Sequence, residues 1–291
     1  MDSRGEGEQL SQLSRLLFDA AASKWYWAAG LELLAGLLAA GLSMAEPTGD
    51  RALFGAGGGV ALLGSAYVLR LRFADQYDTA ETIRRHVVLS EAFGLPLDRV
   101  QASRWRQKAG QRLLKRLEKQ PRDPDYYTTR AALGARRLAE MTAESAFYTR
   151  HLYAKLECLV WLLFASACIA TLGVAFLALS RSVPESIDLM VARALSAFIP
   201  TALSINLLGW GLRLRRAVDS ICDVESALER LLKSKKRLGD TEVLQIVSEY
   251  SCQVVSGFPI HACLFNRWHG EIQSLWQQHL SQAGTSRNQD R

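Results

Sequence analysis

The residues best suited to chemistry are the lysines and arginines between positions 99 and 119, where Glu118 is the single carboxylate. If this segment is one helix, part of the set shares a face at three- and four-residue spacing: Arg104, Lys108, Arg112, Lys115 and Lys119. Like charges at that spacing repel each other, so an anion is expected nearby. Arginine binds phosphate through paired hydrogen bonds, and anionic lipid head groups attract the same side chains. The stripe predicts a phosphate-bearing ligand or anionic lipid, with a solvated cytoplasmic face as the alternative.

A second candidate site follows the stripe in sequence. Tyr126 and Tyr127 could stack a base while Arg130 binds its phosphates, the combination that proteins use for single-stranded nucleotides. The two tyrosines could instead pack at a helix start. The ligand-binding candidates are therefore Arg104, Lys108, Arg112, Lys115, Tyr126, Tyr127 and Arg130.

Nothing in the sequence predicts catalysis or metal binding. Cys252, His261, Cys263 and His269 carry donor atoms, but their spacing fits no usual zinc site. The chain has no phosphate-loop, nucleophile-elbow, zinc-protease or dinucleotide-binding motif. We expect no enzyme, no catalytic residue, no metal and no cofactor.

The candidate residues lie in polar segments next to four apolar runs: 25–45, 52–69, 158–180 and about 188–212. Each is about 18–25 residues long, which at roughly 1.5 Å per residue matches a hydrocarbon layer of about 30 Å. Very short connectors join the runs into two hairpins. We predict an all-α integral membrane protein with four transmembrane helices in two hairpins and a cytoplasmic helical domain.

The distribution of positive charge predicts the topology. Residues 73–155 hold 16 Lys and Arg and residues 213–291 hold 11, whereas the hairpin connectors hold only Arg51 and Arg181. Because positively charged loops stay on the cytoplasmic side, both termini are expected in the cytoplasm. The predicted parts are an N-terminal helix (1–24), a first hairpin (25–69), a cytoplasmic helical domain (70–156), a second hairpin (157–212) and a helical stalk with C-terminal helices (213–291).

Periodicity and breaker residues predict helices throughout the polar parts. One helix should occupy 75–93 and end at Gly94, and a second should run from 97 to 119. A third should start after Tyr127 and continue without a break into the third apolar run. Beyond the fourth run we expect a stalk to about Arg237, helices over 242–256 and 260–280, and a disordered end over 283–291.

Polar residues within the apolar runs are further candidates. Glu32 lies inside the first run, and an ionisable group in a membrane span is by default a functional-site hypothesis. It should line a pore or pair with Arg70 or Arg72, unless it lies shallow enough to reach interfacial water. Asn206 in the fourth run raises the same question. Small residues in the second run, such as Gly55 and Gly59, predict close packing against the first run or another subunit.

The chain resembles a known family over most of its length. The resemblance rests on a polar N-terminal helix that ends in Ala21-Ala-Ser-Lys-Trp-Tyr26, on the two hairpins around a helical block, and on a C-terminal stretch. That stretch comprises Glu249-Tyr250, Phe258-Pro-Ile260 and Phe265-Asn-Arg-Trp268, with Pro-Ile where the family has Ile-Pro. These features resemble the SMODS-associating four-transmembrane effectors of bacterial cyclic-oligonucleotide anti-phage (CBASS) systems.

The resemblance implies a function in the bacterial inner membrane. Such an effector would bind a cyclic oligonucleotide through its cytoplasmic region, form a homo-oligomer and permeabilise the lipid bilayer to stop growth of an infected cell. DNA and RNA polymers are not expected partners. Two alternatives stay open: an ion channel of bestrophin-like layout, constitutive or ligand-gated, and a membrane scaffold that conducts nothing.

Overall fold

The chain is mostly helical in the residues that its structure describes. The computed structural model describes residues 3–45, 50–119, 127–179, 207–234, 238–255 and 257–289, and no strand occurs among them. Their helices are α1 (Ser3–Ala45), α2 (Asp50–Phe93), α3 (Arg99–Ala109), α4 (Gln111–Leu117), α5 (Ala135–Leu179), α6 (Leu207–Lys233), α7 (Asp240–Val255) and α8 (Ala262–Gln289). The predicted all-α class is confirmed.

The helices form two compact units, and neither is continuous in sequence. The first, here called the polar unit, comprises Met1–Ala22, Asp75–Lys155 and Leu214–Arg291. The second, the apolar unit, comprises Ser23–Ala74 and Leu156–Arg213. Four helices, α1, α2, α5 and α6, supply residues to both units.

The long helices are longer than the predicted segments because no breaker separates those segments. Helix α5 has 45 residues and runs from polar sequence into the third apolar run, which confirms the predicted continuity. Helix α2 similarly joins the predicted helix 75–93 to the second run, and α1 joins the N-terminal helix to the first run. Helix α2 ends where predicted, before Gly94, whose φ of +68° is ordinary only for glycine.

The prediction of one helix over 97–119 is wrong, because α3 and α4 meet at Gly110. This glycine has φ 77° and ψ 159°, a conformation that essentially only glycine adopts. The helical hydrogen-bond series stops there, so the predicted charge stripe is divided between two short helices. Asp98 caps the first of them by accepting a hydrogen bond from the backbone nitrogen of Val100 at 2.9 Å.

The predicted disorder over 283–291 is also wrong for the part that the structure describes, because α8 continues to Gln289. Extending an existing helix adds one hydrogen bond per residue and needs no new nucleus. A polar sequence that follows a stable helix can therefore continue it.

The polar unit has two described apolar clusters. The first joins Leu13 and Leu17 of α1 to Ile83 of α2 and to Trp105 and Leu113 of α3 and α4. The second joins Phe147 and Leu152 of α5 to Ile272 and Trp276 of α8. Burying each such side chain contributes about 1.5–3 kcal/mol, so these clusters fix where α3 and α8 lie in the unit.

The apolar unit exposes large apolar side chains. Phe54 is 82% exposed, Leu53 74% and Ile169 70%. Among the described residues two helical segments are long and apolar enough to cross a membrane, Leu53–Phe93 and Ala135–Ile169. They contain the second run from Leu53 onward and residues 158–169 of the third. The first run, in α1, is not among them, and most of the fourth run lies outside the described residues. The four-span arrangement thus stays a prediction.

The predicted packing of the small residues in α2 is confirmed at two positions. A side chain at Gly55 would overlap Leu42 of α1, and one at Gly58 would lie 3.5 Å from Leu38. Gly57 and Gly59 have no other group within 4 Å of the place where a β-carbon would stand. The first two glycines therefore let α1 and α2 approach each other closely.

Candidate functional site

Helix α3 has one buried and one charged face. Ala102, Trp105 and Ala109 are buried in the first apolar cluster. Two of the cations on this helix pair with neighbouring helices: Arg106 lies 3.6 Å from Glu6, and Lys108 lies 3.9 Å from Asp75. The Arg106 pair links α3 to α1, and Lys108, a predicted ligand residue, is partly neutralised by an exposed carboxylate.

The remaining cations of this region are exposed, and the described part of the chain offers them no ion pair or hydrogen bond. We call them the basic surface: Arg99, Arg104, Arg112, Lys115, Arg116 and Lys119. The predicted residues Arg104, Arg112 and Lys115 belong to it, on both sides of the Gly110 break. A group of uncompensated guanidinium and ammonium groups is suited to binding phosphate oxygens.

The second predicted set of residues is described only in part. Tyr126 falls outside the described residues. Tyr127 is half-buried and lies close enough to Arg84 of α2 to act on it electrostatically, whereas Arg130 is exposed. Base stacking by the two tyrosines and phosphate binding by Arg130 therefore stay predictions.

Two carboxylates of α5 hold the segment that carries Arg130. Glu144 accepts hydrogen bonds from the backbone nitrogen and the hydroxyl of Thr128, at 3.0 and 2.9 Å. Glu140 accepts one from the hydroxyl of Thr129 at 2.5 Å. Burial raises the pKa of Glu144, and the bonds from Thr128 lower it in part. The segment before α5 is not helical and is held by these contacts. The prediction that a helix starts after Tyr127 is therefore wrong, because α5 starts at Ala135.

A buried ionic group in α2 is missing from the sequence-based candidates. Glu81 is 1% exposed and accepts hydrogen bonds from both Arg84 and Arg85. Arg84 binds it through two nitrogens, each at 2.7 Å, and lies over the ring of Tyr250 at 5.4 Å. Burial alone would lower the pKa of Arg84, but the Glu81 carboxylate outweighs burial and the pKa is raised. The arginine therefore stays charged.

Hydroxyl groups from three helices surround this ion pair. The Tyr77 hydroxyl donates to the carbonyl of Val254 at 2.9 Å, and the hydroxyls of Thr149 and Tyr250 lie 2.9 Å apart. Burial and the nearby Glu81 raise the pKa of Tyr77, and burial raises that of Tyr153. The group joins α2, α5 and α7, and its satisfied buried charges give it a structural role in the polar unit.

In the apolar unit, Glu32 pairs with Arg70. The guanidinium donates to both carboxylate oxygens, at 3.3 and 3.0 Å, so the partner is the first of the two arginines that the sequence proposes. Arg70 also lies 4.9 Å from the ring centre of Trp25 and 5.9 Å from that of Trp210. Asn206, the other intramembrane candidate, falls outside the described residues.

Metal binding has no support in the described part of the chain, where no group of three His, Cys, Asp or Glu residues could hold an ion. Comparisons with protein-family models, with curated proteins and with solved structures find no match to this chain. A function must therefore be argued from the charges and contacts of its own residues.

Proposed function

We propose that this protein is a membrane-permeabilising effector, gated by a cyclic nucleotide that binds its cytoplasmic helices. In this proposal the apolar unit crosses the bacterial inner membrane four times, the polar unit lies in the cytoplasm, and several copies form the permeable state. Permeabilisation would stop growth of a phage-infected cell.

The observation that carries the proposal is the continuity of α2 and α5. Helix α2 begins with an apolar run and α5 ends with one, and both helices are long and apolar enough to cross a membrane. The other half of each helix belongs to the packed polar unit. The exposed apolar side chains of α2 and α5 fit a lipid environment, because a soluble protein rarely exposes a large continuous apolar surface. A movement of either helix in the polar unit would be carried along an unbroken rod toward its apolar half.

The basic surface supports the nucleotide part of the proposal. Its exposed cations repel one another, and the described part of the chain provides no counterion for them. A ligand with two or three phosphates would relieve that repulsion and could draw the residues on the two sides of Gly110 together. Such a ligand changes the protein only if it binds one arrangement of α3 and α4 better than another.

Dye release from lipid vesicles tests this function. Purified protein is reconstituted into vesicles filled with a fluorescent dye, and release is measured against a panel of cyclic di- and trinucleotides. We expect one or more of them to trigger release. Replacing Arg104, Arg112 and Lys115 with Ala should raise the nucleotide concentration that gives half-maximal release by about 100-fold. Each charge-assisted hydrogen bond to phosphate contributes about 1.5–3 kcal/mol when it is desolvated, and less when it is exposed.

Two controls separate phosphate recognition from net charge. Replacing Arg215, Arg216 and Arg267 with Ala removes the same charge from exposed positions elsewhere in the polar unit, and should leave the nucleotide response unchanged. Replacing Arg104 and Arg112 with Lys keeps the charge but removes the planar donor pair, and should still weaken the response. An unchanged response in the Arg104/Arg112/Lys115 variant would show that the nucleotide binds elsewhere.

Two other results would replace the proposal with an alternative. Steady conductance of the wild type without any nucleotide would indicate a constitutive channel. Absence of both conductance and dye release with every nucleotide would indicate a membrane scaffold.

A further inference from the structure

Arg70 lies where three helices of the apolar unit meet. Its guanidinium group binds Glu32 of α1 and also lies over the rings of Trp25 of α1 and Trp210 of α6. The two rings are themselves in contact, with centres 4.6 Å apart. One cation on α2 therefore contacts a carboxylate and an aromatic ring of α1 and an aromatic ring of α6.

The contacts of Arg70 with α1 lie at the first predicted hairpin, whereas its contact with α6 joins the two predicted hairpins. Helices α1 and α2 are consecutive in sequence and also approach each other closely at Gly55 and Gly58. Helix α6 starts in the second predicted hairpin. Its Trp210 contacts Trp25 of the first predicted hairpin and Arg70 directly after it.

The position of the Arg70 guanidinium group also depends on Glu32. An arginine in a low-dielectric surrounding is stable only with an anion or water, and its side chain here is 26% exposed. Glu32 fixes the guanidinium plane by a two-nitrogen contact, which aims the cation at the two tryptophan rings. Without Glu32, Arg70 would be drawn toward water and away from Trp210.

We propose that the contact of Arg70 and Trp25 with Trp210 holds the apolar unit in its non-permeable arrangement, with Glu32 as the positioning residue. This inference rests on the proposed function, because it assumes that the apolar unit can open. Opening a path between the two hairpins requires α6 to leave α1 and α2, and this contact must then separate. The contact is thus a latch, closed at rest and released in the permeable state.

Basal dye release, measured without any nucleotide, tests the latch. Trp210→Leu removes the aromatic contact but keeps an apolar side chain, and should raise basal release about tenfold, the value expected for one aromatic and one cation–π contact. Glu32→Gln removes the carboxylate that holds Arg70 and should raise basal release by at most about tenfold, because Glu32 acts through the same contact. Trp27→Leu is the matched control, because Trp27 is 70% exposed and takes no part in the contact; its release should equal that of the wild type.

A charge swap separates the latch from general stability. In the double variant Glu32→Arg with Arg70→Glu the two residues can pair again, so the thermal unfolding midpoint in detergent should recover relative to Glu32→Gln. The cation would no longer face Trp210, so basal release should stay high. Recovery of both quantities would overturn the latch and leave a purely structural ion pair.

The possible failures are distinguishable. If a nucleotide triggers release from the wild type while Glu32→Gln and Trp210→Leu show wild-type basal release, the latch is refuted and the proposed function stands. If neither variant leaks and no nucleotide triggers release from the wild type, both are refuted. If the variants leak while no nucleotide acts on the wild type, the latch stands and nucleotide gating is refuted.

Discussion

Replacing Glu81 with Gln tests whether the buried ionic group of α2 stabilises the polar unit. The substitution keeps the size and shape of the side chain and removes its charge. It also places an amide that donates hydrogen bonds against guanidinium groups that can only donate. Arg84 and Arg85 would then share a site without a carboxylate.

The structure sets the expected size of the effect. Glu81 is 1% exposed and accepts two bonds of 2.7 Å from Arg84 and one of 3.0 Å from Arg85. Breaking a buried ion pair typically costs 3–5 kcal/mol. Arg85 is 41% exposed and can be rehydrated, so the lower end of that range applies, about 3 kcal/mol. At about 2–4 °C per kcal/mol for a unit of this size, the unfolding midpoint should fall by about 6–12 °C.

Thermal unfolding in detergent micelles, followed by circular dichroism, measures the effect. Asp75→Asn is the matched control, because it also neutralises a carboxylate of α2 that faces a cation, but at 75% exposure and 3.9 Å. The control should change stability by less than about 0.5 kcal/mol. If Glu81→Gln is within 1 kcal/mol of its control, the buried pair contributes little and the reasoning from burial is wrong.

Two further predictions concern the polar unit. A β-carbon at Gly257 would overlap the Tyr153 hydroxyl and lie 3.0 Å from the Val254 carbonyl oxygen, so Gly257→Ala should lower the free energy of unfolding by about 1–3 kcal/mol. Adding Tyr153→Phe to that variant should recover part of the loss. Gly270 lies in open space within α8, so Gly270→Ala should be neutral or stabilising in the same unfolding assay. Burial raises the pKa of Glu144 above its ordinary value of 4.5, so the folded protein binds this proton more tightly than the unfolded chain does. The wild type should therefore lose stability relative to Glu144→Gln as pH rises from about 4.5 through the raised pKa, and a difference between the two midpoints that does not change with pH would contradict this.

Breaker residues and their absence made much of the helical layout predictable. The end of α2 before Gly94 and the unbroken course of α5 both follow from where glycine and proline occur. The break at Gly110 was not predictable in the same way, since a single glycine costs a helix only about 1 kcal/mol and helices often tolerate it. Here the packing of Trp105 and Leu113 on one core decides that the chain turns.

A candidate site residue could be predicted from the sequence only where a charged residue lies within an apolar run. Glu32 is conspicuous because it interrupts an apolar run, and the sequence even limits its partner to two arginines. Glu81 gives no such signal, because glutamate and arginine at three- and four-residue spacing usually lie on an exposed helix face. Its two arginine partners contact residues that are far away in sequence: Arg84 lies over the ring of Tyr250, and Arg85 donates a hydrogen bond to the carbonyl of Ser251. Only the tertiary structure brings them together.

The polar unit is assembled from three separate stretches of chain, and this has a consequence for biosynthesis. Leu13 and Leu17 of α1 leave the ribosome before the parts of α2, α3 and α4 that cover them, and Phe147 leaves it well before Trp276. The nascent chain therefore carries uncovered leucines on α1 while later segments are still being synthesised. None of the three stretches can form the unit alone, and premature termination before α8 would leave a product with an open core that chaperones or proteases would recognise.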